Sequence, residues 1–504
     1  MNMSDPCQLK LFPSTPAWRI GSLIIVLLAS VAVRLPALND PHLHFVKQAE
    51  TQRAMIALGL YAQSDPNIEG RDAILKNFHQ PQMEMRIIPN LAALTFRLLS
   101  PDDIWLIRSI NCLFWLLASV FVFRLALRFT PWFPAVIAVA LFNLLPYSVL
   151  ASRAFQPEPL MMLAIAGTLD LAAWAIERWR PQRWLLLLCA VLACAAIKPH
   201  SLFFVVPAIG FGAIAARGWR KALLDPFPPV AGLALAAFVW WHYSSGATPG
   251  VIRNFAIPSL ALSPGFWRGW LQSASVVVGL PLLALALVGF VLVRAPMIRG
   301  MLSGYAFGYA AFALTFTLAL STHPYYHEPL ILLVALAVAP LAAGLLDGLD
   351  AALTSRHMAW ALRAAAVVAL IFSSLTALRP VTKQWTHNMI PADPDEPEVF
   401  ATIGRELGHS VKVLHISPEN GLPLRYYARI AGHRLDVEDL LHPNSIDLSA
   451  LDQRVAKALR ERNCEFFVIA DPRVLERLAL ARPFQISGLR ELAWTRKYAI
   501  FAVD

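Results

Sequence analysis

Residues 159–216 read PLMMLAIAGTLDLAAWAI, ERWRPQR, WLLLLCAVLACAAI, KPH and SLFFVVPAIGFGAIAA, with breaks after positions 176, 183, 197 and 200. Three apolar runs alternate with two short polar connectors. The first connector carries Arg178, Arg180 and Arg183; the second carries a single basic residue, Lys198, followed by Pro199 and His200. A helix of roughly 20 apolar residues spans the ~30 Å hydrocarbon layer of a bilayer. The alternation therefore predicts helices that cross a membrane, with arginine concentrated on one side. The second and third runs are short and can also be read as one bent helix.

The pattern extends in both directions. Candidate spans fall near 20–37, 106–127, 131–150, 159–176, 184–197, 201–216, 228–242, 273–293, 301–320, 329–347 and 359–378, eleven in all. The first follows Lys10 and Arg19 and lacks a small-residue cleavage site, so it reads as an uncleaved anchor. Loops on the amino-terminal side of the membrane hold fourteen Lys and Arg residues, and the short loops opposite hold only Arg153, Lys198, Arg253 and Arg268. This asymmetry predicts a cytoplasmic amino terminus and, after eleven spans, an extracytoplasmic carboxy terminus.

Composition agrees. The 504 residues are 57% hydrophobic and 15% charged, with a mean hydropathy of +0.54. A soluble domain carries about 25% charged residues, so a water-soluble enzyme and a disordered chain are both excluded. The net charge of +10 does not point to nucleic acid, because its excess lies in the apolar part. Residues 380–504 hold 16 basic against 17 acidic side chains.

The expected fold class is a polytopic α-helical membrane protein with a small extracytoplasmic α/β domain. Residues 1–379 form the membrane domain and 380–504 the soluble one. Within the latter, Val411–Ile416 and Glu465–Ala470 read as short buried strands, Leu448–Arg462 as a helix, and Gly488–Val503 as a hairpin broken near Arg496 and Lys497. The first outer loop, 38–103, contains amphipathic stretches such as Glu50 to Leu60, which suit helices lying in the interface. Five scattered cysteines form no disulfide framework, and no zinc-ligand spacing is present.

Ionisable and aromatic polar residues gather at the outer ends of the predicted helices. They include Asp40, His44, Lys47, Glu50, Glu84, Arg108, Arg153, Glu158, Lys198, His200, His323, Tyr325, Tyr326 and His327. Snorkelling accounts for the arginines of the inner loops, but it accounts poorly for outer acids, histidines and tyrosines. Such a set suits a cavity at the membrane surface that holds a phosphate. Arginine and lysine would stabilise the charge developing on a leaving group, and a carboxylate or histidine would take a proton from an attacking hydroxyl.

The order of these segments resembles the integral-membrane glycosyltransferases of the GT-C superfamily, above all bacterial relatives of protein O-mannosyltransferases and lipid A aminoarabinose transferases. The segments are His44 to Thr51, Glu84 to Pro89, Arg108 to Asn111, Arg153 to Pro159, Lys198-Pro199-His200 and His323 to Glu328. Aminoarabinose transferases start the first motif with an acidic pair, where this chain has His44 and Phe45. A subset of relatives has a His-x-x-Arg-Gln-x-x-Thr form, which His44, Lys47, Gln48 and Thr51 resemble with lysine in place of arginine.

The resemblance implies a bacterial inner-membrane enzyme. Its donor would be a polyprenyl-phosphate-linked sugar and its acceptor a lipid, glycan or protein on the periplasmic face. Asp40 or His44 would be the base, with Glu84 and Glu158 completing the catalytic set. Lys47, Glu50, Arg108, Arg153, Lys198, His200, His323, Tyr325, Tyr326 and His327 would bind substrate. A divalent cation as cofactor is left open. The rival readings are a lipid-linked-sugar transporter or flippase, which would want repeats and midplane charges, and a non-catalytic binding or scaffold relative.

Overall fold

The computed structural model describes residues 15–36, 38–40, 43, 45–79, 84–101, 103–178, 180–224, 232–233, 235–238, 240, 256–353, 355, 357–366, 368–369, 372, 395–442, 445–480 and 488–503. The predicted spans 228–242 and 359–378 lie partly outside the described residues, and His44 lies outside them. The chain separates into two compact units. One comprises Met1–Leu38, Pro81–Arg86 and Arg108–Trp385; the other comprises Asn39–Gln80, Ile87–Ile107 and Thr386–Asp504.

The first unit is helical. Four described helices are long and apolar enough to cross a membrane: Trp105–Leu127, Glu158–Glu177, Pro199–Arg217 and Pro324–Ala352. The count rises to six if each of two bent pairs is one span.

Those bent pairs fall in two of the predicted runs. The run near 131–150 folds as Trp132–Leu144 and Pro146–Arg153, bent by 60°. Pro146 lacks an N–H and its ring crowds the preceding turn, so the helix restarts there. The run near 273–293 is Pro264–Val278 followed by Leu280–Val291, bent by 86°. Gly279 sits at the corner with φ 78°, a backbone region that L side chains rarely adopt. The run near 301–320 also divides, into Pro296–Thr315 and Thr317–Thr322.

Close helix packing here relies on small residues, since lipid tails give no hydrophobic drive between helices. Gly300, Gly304 and Gly308 recur every fourth residue along Pro296–Thr315. A Cβ at Gly304 would collide with the Pro207 carbonyl, and one at Gly308 with the Phe203 carbonyl, both in helix Leu202–Arg217. The two backbones therefore touch where glycine permits it. On the arginine-rich side, buried Asp170 receives Arg124 at 2.8 Å and Arg128 at 3.0 Å. Arg124 and Arg128 are thus paired rather than merely snorkelling.

The second unit is a mixed sheet covered on both faces. Its strands are β1 (Val413–Ile416), β2 (Gly432–Arg434), β5 (Phe466–Ile469), β6 (Leu489–Trp494) and β7 (Ala499–Val503), in the order β2-β1-β5-β7-β6. A separate ribbon pairs β3 (Leu441–His442) with β4 (Ser445–Ile446). β1 runs parallel to β2 and β5, while β7 runs antiparallel to β5 and β6. Leu414, Ile416, Phe467 and Phe501 face Leu451, Val455 and Leu459 of helix Leu448–Arg462. Val413, Val468 and Ile500 face Phe400 and Ile403 of helix Glu396–Glu406. Burial on both sides explains why the central strands are mainly apolar, with buried His415 on β1 as the exception.

The amphipathic stretch of the first loop is the helix Lys47–Ala62, and it is not one-sided. Glu50, Thr51, Arg53 and every residue from Ala54 to Gly59 are buried. The helix packs against Arg71–Asn77, Ile87–Leu98 and Leu422–Tyr427 of the same unit.

Candidate active site

In the first unit the predicted site residues converge on three helix ends. Glu158 begins the helix Glu158–Glu177, where the exposed N–H groups of the first turn favour a carboxylate. Lys198 closes the helix Pro181–Ile197. Its ammonium forms an ion pair with Glu158, and both side chains are buried. Gln156, its amide oriented by these bonds, donates to Glu158 Oε2 at 2.9 Å and Oε1 at 3.2 Å. The lysine is also flanked by aromatic rings, its Nζ lying 5.7 Å from the centroid of Tyr325 and 5.8 Å from that of Tyr326.

The third end carries Glu328, the residue before helix Pro329–Ala352. It is fully buried and lies within electrostatic range of Glu158 and Lys198. Neither carboxylate oxygen has a hydrogen-bond partner among the described residues. Two buried carboxyl groups thus face one ammonium.

Around this trio, His200 stacks on Phe312 with centroids 5.0 Å apart and meets the Tyr326 ring edge-on at 5.8 Å. His323 packs against Tyr325 at 5.6 Å. Glu84 is half-buried and within electrostatic range of Tyr326. Its neighbour Met85 donates a backbone hydrogen bond to Ala196 at 3.3 Å, two residues before Lys198. His327 has a different setting: Nδ1 lies 2.6 Å from the Tyr309 hydroxyl and Nε2 2.7 Å from the Leu320 carbonyl. Both ring nitrogens are engaged, so in this state it supports the loop.

Two further guanidiniums hold the chain that leaves the first helix. Arg108 donates to Leu38 O at 3.2 Å and Arg153 to Pro36 O at 2.6 Å. Arg34, which the sequence reading passed over, is buried and bonded to Ser152 Oγ at 2.8 Å, Ser30 O at 2.7 Å and Asn143 O at 3.0 Å. The signal was an arginine inside the apolar run 20–37.

The remaining predicted residues belong to the second unit. Asp40 is half-buried. Lys47 Nζ lies 2.8 and 2.6 Å from the two carboxylate oxygens of Glu396. Glu50 accepts backbone N–H bonds from Phe45 at 2.9 Å and Val46 at 3.3 Å, closing the first turn of its own helix. Among the described residues no three His, Cys, Asp or Glu side chains gather as metal ligands.

Residues 87–243 match the family model of dolichyl-phosphate-mannose-protein mannosyltransferases. No curated protein matches the sequence. Three solved structures are similar along nearly the whole chain. ArnT from Cupriavidus metallidurans, bound to undecaprenyl phosphate, is 14% identical with a TM-score of 0.59, over 97% of this chain and 98% of that one. The archaeal oligosaccharyltransferase AglB from Archaeoglobus fulgidus, with an inhibitory peptide and a dolichol-phosphate, is 12% identical with a TM-score of 0.53, over 97% and 74%. The Archaeoglobus fulgidus oligosaccharyltransferase tethered to an acceptor peptide is 10% identical with a TM-score of 0.55, over 90% and 69%. At such identities the likeness is one of fold. The chain has the fold of the GT-C superfamily of integral-membrane glycosyltransferases.

Proposed function

We propose that the chain is a membrane glycosyltransferase that moves a sugar from a polyprenyl-phosphate-linked donor to a lipid, glycan or protein acceptor. The observation that carries this reading is the buried Glu158–Lys198 pair, with Glu328 beside it and Tyr325 and Tyr326 around it. An apolar helical protein has little reason to bury such a group unless it handles a polar or charged substrate. The likeness to folds that hold undecaprenyl phosphate and dolichol-phosphate supports a lipid-phosphate donor. In this reading all eleven spans cross a bacterial inner membrane, and the site faces the periplasm.

The reaction is a single inverting displacement. The acceptor hydroxyl gives its proton to a base, Asp40 or His44, and its oxygen attacks the anomeric carbon. The bond from that carbon to the phosphate oxygen breaks, and its electron pair stays on the phosphate. Lys198, Arg108 and Arg153 stabilise the departing charge. Glu84 and Glu158 position the substrates, and the rings of His200, His323, Tyr325 and Tyr326 line the sugar's path. No covalent intermediate is needed.

The test uses the purified chain in lipid with a panel of labelled polyprenyl-phosphate sugars and an envelope extract as the acceptor source. Release of polyprenyl phosphate that needs the extract and collapses in Asp40→Asn or His44→Ala supports the enzyme and names its base. Glu84→Gln and Glu158→Gln should each weaken release. Tight donor binding with no turnover would replace the enzyme by a scaffold. Neither binding nor release would bring the transporter forward.

A further inference from the structure

The second unit contains a cleft of about 320 Å³ that none of the proposed catalytic residues lines. That volume is at the lower end for small-molecule sites and suits one or two sugar rings. Leu58, Ile104, Pro397 and Ala401 supply apolar wall, and Tyr426 and Tyr427 supply aromatic rings set edge-to-face at 4.9 Å.

The charges lining it are layered. His409 and Arg429 sit deep, their side chains 13% and 14% exposed, whereas Glu69 is 62% exposed at the mouth. Arg405 and Glu398 are also at the exposed rim. Glu69 reaches inward: one oxygen lies 2.9 Å from His409 Nε2 and the other 4.0 Å from an Arg429 nitrogen. That close contact with His409, with Arg429 and Arg405 nearby, holds the Glu69 carboxyl below its ordinary range.

The backbone is specialised at the same place. His409 and Arg429 both adopt left-handed conformations, φ 55° and 51°, which cost strain in residues other than glycine and gather at functional sites. Gly70, φ 71°, passes so near that a Cβ there would lie 2.8 Å from Arg429 Cβ.

We infer that this cleft is a binding site for a saccharide bearing a carboxylate, and that the Glu69 carboxylate occupies the seat of the ligand's own. A surface carboxylate set against a deep imidazole and a deep guanidinium marks where an anion is stabilised. The apolar residues and tyrosine rings lining the same cleft suit the C–H faces of a sugar ring rather than a bare ion. The inference goes beyond the proposed transfer and needs no donor, so its failure would leave the glycosyltransferase reading untouched.

Saturation-transfer NMR and calorimetry on the full chain in lipid nanodiscs, with no donor present, test it. The probes are glucuronate, glucose, glucose 1-phosphate and acetate. Glucuronate should bind about tenfold more tightly than glucose or acetate, a difference typical of one well-made charged contact. Glu69→Gln should tighten glucuronate binding by vacating the seat, while Arg429→Gln and Arg405→Gln should weaken it. Arg405 is exposed, so its variant keeps the test valid if the Arg429 variant fails to fold. Equal binding of glucose, equal binding of acetate, preference for glucose 1-phosphate, or weakened binding in Glu69→Gln would each overturn the assignment.

Discussion

Glu158 and Lys198, forty residues apart in sequence, form an ion pair buried in the helical unit, with Gln156 supporting the carboxylate. Removing one partner of such a pair leaves an uncompensated charge in a low-dielectric interior, which costs about 3–5 kcal/mol. Lys198→Met should lower stability by roughly that amount and Glu158→Leu by less, because Glu328 stays beside the ammonium, and the double variant should lose less than the two together. Denaturant unfolding of the detergent-solubilised chain measures the cycle. Additive losses would mean that the pair is not coupled.

Glu328 is the unbalanced member of the trio, a buried carboxyl with no hydrogen-bond partner among the described residues. Replacing a buried polar group by an apolar one of similar size is often neutral or stabilising. Glu328→Leu should therefore raise the unfolding midpoint while reducing polyprenyl-phosphate release at least about tenfold, the trade expected where a destabilising group is kept for function. Full activity in a stabilised variant would remove Glu328 from the site.

Lys47 is held by both oxygens of Glu396, with side chains only 14% and 10% exposed. Lys47→Met and Glu396→Gln should destabilise the second unit to a similar extent, with a coupling of about 1–3 kcal/mol in the double variant. Hydrogen exchange of helices Lys47–Ala62 and Glu396–Glu406 reads the effect. If Lys47 also binds donor, Lys47→Met alone should weaken donor affinity, and Glu396→Gln should not.

What could be read from the sequence follows from what is local. Trp105–Leu127 and Glu158–Glu177 lie within a residue of the runs 106–127 and 159–176, because span length is set by hydrocarbon thickness. The central strands β1 and β5 were visible as apolar runs, since both faces are covered. β2, three residues at the sheet edge, carries no such run and was missed. The corners at Pro146 and Gly279 were hidden inside unbroken apolar stretches. Glu158 and Lys198 could each be picked out as polar groups at helix ends. Their pairing could not, because it depends on how separate helices pack. The Lys47–Glu396 contact joins residues 349 positions apart, and no local pattern reports it.

His415, buried on β1 beside the edge strand β2, gives a pH signature. Burial, reinforced by the nearby positive charges of Arg425, Arg434 and His433, pushes its pKa down to about 3, and Nδ1 lies 2.9 Å from Ser417 Oγ. An unfolded histidine takes a proton near pH 6.5. Between those two values the unfolded chain binds the extra proton and the folded one does not, so stability falls as pH drops from about 6.5 towards 3. By pH 4 the loss is roughly 3 kcal/mol for this one group. Amide exchange of β1 and β5 in the full chain should show protection falling from pH 7 to pH 4 beyond the intrinsic rate change. His415→Leu, which cannot titrate, should abolish most of that fall. A β1 protection profile that is the same in both proteins would assign the acid sensitivity elsewhere.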